Sequence, residues 1–325
     1  MKQLEISDYR KVNESCHRRL VYHLGIDCGF FVELNYMINA MLYCLANGYR
    51  FQLYSEDANF GTGKGWTEYF QPFCEEVHEP FHHRYNLRRQ SIWRRILAHW
   101  LAFRTYGEYV RLSQDVAHEP DKFYHIPALG ISCSYTEAYA MLARIIWQPQ
   151  PEVQQKMKDA RHRLSLPEIY SGVQIWEGNN ASGSRLISGW QIIQALHPQD
   201  GECIFALADN YQQLEIVRNE FQKLRIVSLC QPHETGYHHQ AFEHLSPQEK
   251  KESVIRLLIS VDILLQCCAF VGTITSGPSV FLLKVRADDP CVTAIDCPQD
   301  MLPDCLTLNI DERAAISRRF VVRLT

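Results

Sequence analysis

Two apolar runs in the C-terminal half end in residues able to handle charge. Cys203-Ile204-Phe205-Ala206-Leu207-Ala208 leads into Asp209 and Asn210, and Ala269-Phe270-Val271-Gly272-Thr273-Ile274 leads into Thr275, Ser276 and Gly277. In an open parallel sheet such strand ends form the crevice where ligands bind, and a hydroxyl-bearing turn that opens a helix is a seat for phosphate. A carboxylate can accept from a purine amide and amine edge, while hydroxyls and helix amides stabilise phosphate charge. Together the two ends imply the back wall of a nucleotide-sugar site. The plainer reading is that Asp209 caps the helix starting at Tyr211 and that the Thr-Ser-Gly turn only begins another helix.

Such a site needs a sheet to carry it. The 325 residues, 46% of them hydrophobic, suit two domains of ordinary size, with the division expected between 1–165 and 166–325. In the second half, strands are expected near 171–176, 203–208, 225–228, 269–274 and 291–295, with helices between nearly all of them. The first half opens the same way, with a strand over 19–24, a helix over 32–46 stopped by Asn47-Gly48, and a strand over 49–54. Strands alternating with helices imply parallel sheets and an α/β fold in both halves. From about residue 88 to 163 the pattern turns largely helical.

Composition removes several function classes. A formal net charge of −4 leaves no global basic footprint for nucleic acid. The local run Arg88-Arg89-Gln90-Ser91-Ile92-Trp93-Arg94-Arg95 reads as the solvated face of an amphipathic helix, with a peripheral membrane contact as the alternative. The N-terminus has no signal-peptide core, and the longest apolar stretch, 257–274, is broken by Asp262 and Gln266. A cytoplasmic protein without a transmembrane segment is expected. Twelve cysteines, none in a Cys-x-x-Cys spacing, read as free core thiols, and no metal site is expected. Gly61-Thr62-Gly63-Lys64-Gly65 lacks the Walker spacing and reads as a loop, with acceptor binding as its sharper interpretation.

At this point the residues carry a resemblance to the GT-B superfamily of α-1,6-fucosyltransferases, nodulation fucosyltransferases and protein O-fucosyltransferases. Gly29-Phe30-Phe31-Val32-Glu33-Leu34-Asn35 resembles the family's glycine turn and first helix, and Gly65-Trp66-Thr67-Glu68-Tyr69-Phe70-Gln71-Pro72 resembles its Gly-Trp-x-x-x-Phe-x-Pro segment. The strand ends at Asp209-Asn210 and Thr275-Ser276 are similar to the family's Thr-Asp-Asp and Thr-x-Ser-Ser ends. The resemblance implies two Rossmann-like domains with a cleft between them and an inverting transfer without metal. The donor, a GDP-sugar first and a CMP-sugar second, would be held by Asp209, Asn210, Thr275, Ser276 and Gly277. A glycan or glycoconjugate acceptor would lie near Gly29, Glu33 and Trp66.

The family's His-x-Arg-Arg-x-Asp motif is missing. In its place stand Gln174-Ile175-Trp176-Glu177-Gly178-Asn179, so that two positive charges become one negative. Three readings stay open. Another cation, Arg185 first, then Lys284, Arg286 or Lys64, can serve the diphosphate. Alternatively, a less charged donor stacks on Trp176 beside Gln174 and Asn179, with Glu177 as general base. The third is a non-catalytic carbohydrate-binding or interaction protein on the same fold.

Overall fold

The computed structural model describes residues 4–25, 28–86, 91–112, 122–176 and 187–321. The chain divides into two compact units, Met1–Pro151 with Leu245–Glu252, and Glu152–His244 with Ser253–Thr325. In the first unit the elements are α1 (Ile6–Glu14), β1 (Arg18–His23), α2 (Phe30–Asn47), β2 (Tyr49–Tyr54), β3 (Glu75–Glu76), α3 (Pro80–Tyr85), α4 (Ile92–Tyr106), β4 (Glu108–Leu112), β5 (Tyr124–Ile126), β6 (Ile131–Cys133) and α5 (Tyr135–Ile146). Strands β3-β2-β1-β4 form a parallel sheet, and β5 and β6 form a separate antiparallel pair. Helix α2 stops where Gly48 takes a left-handed conformation with φ of 66°, the glycine C-cap foreshadowed by Asn47-Gly48. The stretch from 88 to 163 is less helical than expected: Glu108 opens β4 while buried beside Arg19, so a charge that reads as exposed sits inside the sheet.

Helix α4 also departs from expectation. Its sheet side carries the small residues Ala98 and Ala102, both buried, with Ala102 packed beside Val21, Tyr54 and Val110. Close approach of helix to sheet selects the alanines for the interior, and the bulky apolar residues face outward. The solvated face is therefore the apolar one as much as the arginine one.

The second unit holds α6 (Pro151–Leu164, its first residue at the boundary), β7 (Ser171–Ile175), α7 (Gly189–Gln194), β8 (Cys203–Ala208), α8 (Tyr211–Glu220), β9 (Arg225–Val227), α9 (His239–Glu243), α10 (Pro247–Leu265, whose residues up to Glu252 belong to the first unit), β10 (Ala269–Gly272), α11 (Gly277–Val285), β11 (Val292–Ala294), α12 (Leu302–Thr307) and α13 (Ile310–Val321). Its sheet is parallel throughout, in the order β11-β10-β7-β8-β9. Val173, Ile175, Ile204, Ala206 and Val271 from three adjacent strands build one apolar layer against Ile192, Ile193, Leu214 and Val217 of α7 and α8. The chain winds from β7 through β8 to β9 on one side, then returns to lay β10 and β11 on the other. That reversal makes the gap between β7 and β10 a topological switch point, the place where open α/β sheets take ligands.

Candidate functional site

At the switch point the last rung of the β7–β10 ladder pairs Val173 with Val271, so Gln174 projects just beyond it. Its amide is buried and committed at both ends: Nε2 donates to Ser276 Oγ at 2.6 Å, and Oε1 accepts from Ser279 Oγ. Ser276 and Ser279 are themselves buried, the first at the N-cap of α11 and the second in its opening turn. With its hydroxyl held by Gln174, Ser276 makes no capping bond to the helix it precedes. Gly272 is required nearby, since a Cβ there would lie 2.4 Å from Ser279 Oγ. The sequence expectation placed Gln174 and Ser276 on the donor; the structure brings them together and makes Gln174 the floor that sets the turn.

Behind the turn, the Ile274 peptide is gripped from both sides. Asp296 Oδ1 accepts from its N–H at 2.8 Å, and Arg313 Nε donates to its carbonyl at 2.9 Å. Asp296 is fully buried, which pushes its carboxyl above the usual range, an effect partly offset by the Ile274 N–H and by the hydroxyls of Ser317 and Thr275. Asp296→Ala is expected to cost about 1–3 kcal/mol by leaving the buried Ile274 N–H unmade, whereas Asp296→Asn keeps the acceptor and loses less. Urea denaturation of the two variants checks this; equal stability would remove the clamp. Arg313 and Asp296 escaped sequence reading because they come from α13 and from just past β11, and no local spacing ties them to Thr275.

Two of the proposed replacement cations lie in the wrong places. Lys284 is buried in α11, where desolvation and the neighbouring Arg313 charge lower its pKa well below the ordinary lysine value. Arg286 stands at the far end of α11 from Ser276 and pairs with Asp289 at 2.5 Å. Neither can serve a diphosphate at the helix N-terminus. Arg185 lies outside the described residues, as do Glu177 and Asn179; Trp176 follows β7 half-buried.

On the next strand, β8, the capping role falls to Asn210 and not to Asp209. Asn210 Oδ1 accepts from the Gln212 and Gln213 N–H groups at 2.9 and 3.3 Å. Asp209 Oδ2 instead accepts from the Tyr237 N–H at 3.0 Å, and its backbone carbonyl accepts from Gly236. Asp209 by these bonds, and Asn210 by an antiparallel backbone bridge to Thr235, thus organise the loop that follows β9.

The residues expected to meet an acceptor are placed differently from one another. Gly29 is the half-buried N-cap of α2. Glu33, in the first turn of that helix, is fully buried, and its Oε2 accepts from the Gly25 N–H at 3.0 Å, tying down the loop after β1. Trp66 is a core residue, stacked on Phe70 with ring centroids 4.4 Å apart and edge-on to Phe73. It is the second residue of a short 3-10 turn over Gly65–Glu68. Gly65, at φ of +58°, lies so close to Ser55 that a Cβ would come within 2.1 Å of its carbonyl oxygen. The glycine loop before it is wrapped around its own anion: Glu68 Oε1 accepts from the Lys64 and Gly65 N–H groups at 2.9 and 3.2 Å, and Thr62 Oγ1 donates to Oε2 at 2.7 Å. Amides that could hold a phosphate are occupied by this carboxylate.

No protein-family model matches the chain, and no curated protein matches it in sequence. Its fold is nonetheless shared with solved structures. Fucosyltransferase NodZ from Bradyrhizobium superposes with a TM-score of 0.50 at 12% identity, over 86% of this chain and 96% of that one. A NodZ alpha-1,6-fucosyltransferase soaked with GDP-fucose gives 0.50 at 10% identity, over 83% and 92%. Arabidopsis thaliana FUT1, as a variant in complex with GDP, gives 0.51 at 11% identity, over 86% and 73%. The chain thus has an α/β fold of the GT-B kind seen in these structures.

Proposed function

We propose that the chain is a glycosyltransferase that binds a GDP-sugar on its second unit and passes the sugar, fucose being the first candidate, to a glycan or glycoconjugate during polysaccharide assembly. The observation that carries this reading is the tether from Gln174 to Ser276 and Ser279 at the switch point, which presents the start of α11 to a phosphate on a fucosyltransferase-like fold. Asp209 and Asn210, at the neighbouring strand end, would face the base. Glu177 would act as general base and Arg185 as the cation for the leaving diphosphate, supported by their position in the sequence segment that joins β7 to α7. Twelve free thiols are consistent with a reducing, cytoplasmic setting; among the described residues no helix is long and apolar enough to cross a membrane.

Thermal shift against GDP, UDP, CMP and dTDP and their sugars tests the donor, because a ligand specific to the folded state raises its melting temperature. GDP is expected to stabilise the protein, and Arg185→Ala to weaken GDP by on the order of tenfold, the loss of one charge-assisted contact. A shift with CMP alone would replace the donor; no shift with any nucleotide would end the transferase reading in favour of a non-catalytic binding protein.

A further inference from the structure

Helix α4 presents an apolar face to solvent. Trp93 is 77% exposed, Phe103 63%, Ile92 60%, Trp100 53% and Ile96 52%. At 3.6 residues per turn these five span an arc of about 100°, opposite the buried Ala98 and Ala102. An exposed patch of this size on one element marks an interaction surface. Its chemistry is specific: α4 carries Arg94, Arg95 and Arg104 and no Asp or Glu, in a chain whose net charge is −4. On the same wheel Arg104 borders the apolar arc and stacks over Trp100 with its guanidinium carbon 5.0 Å from the ring centroid, while Arg94 is exposed roughly 100° beyond Trp93 and Arg95 is half-buried on the alanine side. Tryptophan and phenylalanine set among arginines is the composition of a helix lying in a lipid headgroup layer.

We infer that α4 docks the protein on an anionic membrane surface, its tryptophans at the acyl boundary and the exposed Arg94 and Arg104 on lipid phosphates. A second copy fits less well. Pairing α4 with itself across a two-fold axis would bring the arginines of both helices together with no carboxylate on either helix to meet them. An anionic lipid surface supplies both the apolar layer and the opposite charge. The inference does not depend on the identity of the sugar donor.

The test is flotation of the full chain with vesicles of phosphatidylcholine alone, and with vesicles of two parts phosphatidylcholine to one part phosphatidylglycerol. Binding to the mixed vesicles only, weakened by salt and accompanied by tryptophan quenching from brominated lipid, is the expected result. Arg94→Ala with Arg104→Ala should lower affinity on the order of thirtyfold, each arginine near an anionic surface contributing roughly fivefold. Trp93→Ser with Trp100→Ser should abolish binding. Both side-chain pairs are exposed, so an unchanged circular dichroism spectrum verifies folding. Absence of binding to the mixed vesicles, binding indifferent to the two tryptophans, or a tryptophan-dependent dimer in sedimentation without vesicle binding would each overturn the inference.

Discussion

Gln174→Ala is expected to destabilise the second unit by about 2–5 kcal/mol and to abolish the thermal shift with GDP. The amide sits on the floor of the switch point with both of its ends hydrogen-bonded to buried hydroxyls, and truncation leaves Ser276 and Ser279 without their shared partner. Each loss of a buried partner costs roughly 1–3 kcal/mol, and a cavity of side-chain size adds to it. Once released, Ser276 can turn back to cap α11, which would close the helix start against an incoming phosphate. Gln174→Leu separates the causes, because it fills the volume without replacing the hydrogen bonds. Urea denaturation and GDP titration of both variants are the measurements. A leucine variant that binds GDP as the wild type does would show that the tether is dispensable for the donor and that only packing matters at this position.

Gln174 stands where the expected motif would begin, and its surroundings show which features were local enough to be legible in the sequence. Strand β8 ends at Ala208 as its apolar run implies, and β2 spans 49–54 as expected, because apolar runs bounded by polar residues and Asn-Gly carry local signals. That Asp209, Asn210, Thr275 and Ser276 stand beyond the carboxyl ends of strands was legible for the same reason: each follows such a run. What Gln174 does was not legible, since its partners lie more than 100 residues away and are joined to it only by the order of the sheet. Asp296 and Arg313 meet Ile274 from separate elements in the same way. Trp66 shows the converse failure. Its motif was readable, yet the motif serves an aromatic core, and nothing in a Gly-Trp pair distinguishes a ring that packs inward from one that meets a ligand. Helix α4 inverted its pattern because the sheet admitted alanine where periodicity alone favours tryptophan and isoleucine.

The first unit is expected to lose stability steeply as the pH falls below about 6.5. At the end of β1, His23 is fully buried with Nε2 3.0 Å from His82 Nδ1, so the two rings share one proton along that line and cannot both be charged. Burial lowers the pKa of His23 well below the ordinary value, helped by the nearby His82 and His99; burial also lowers that of His82, against the pull of Glu79. The folded state therefore keeps His23 neutral where the unfolded chain takes up a proton. Stability is fully present above the unfolded pKa and drains as the pH drops toward the folded one, at about 1.4 kcal/mol per pH unit for each histidine so held. Between about pH 6.5 and pH 5 this amounts to roughly 2 kcal/mol from His23 alone. Glu108 and Glu76 act in the opposite direction. Burial raises both carboxyls, with Arg19 restraining Glu108 and the Ser55 hydroxyl restraining Glu76. They take protons first in the folded state, so the decline flattens at the acid end. His23→Gln retains an amide donor for His82 Nδ1 and cannot titrate. Its urea midpoint should change less between about pH 7.5 and about pH 5.5 than the wild-type midpoint does, the difference corresponding to one histidine. Identical pH dependence in the two proteins would mean that His23 titrates in the folded state as it does in the unfolded chain, and that the buried pair carries no pH-dependent stability.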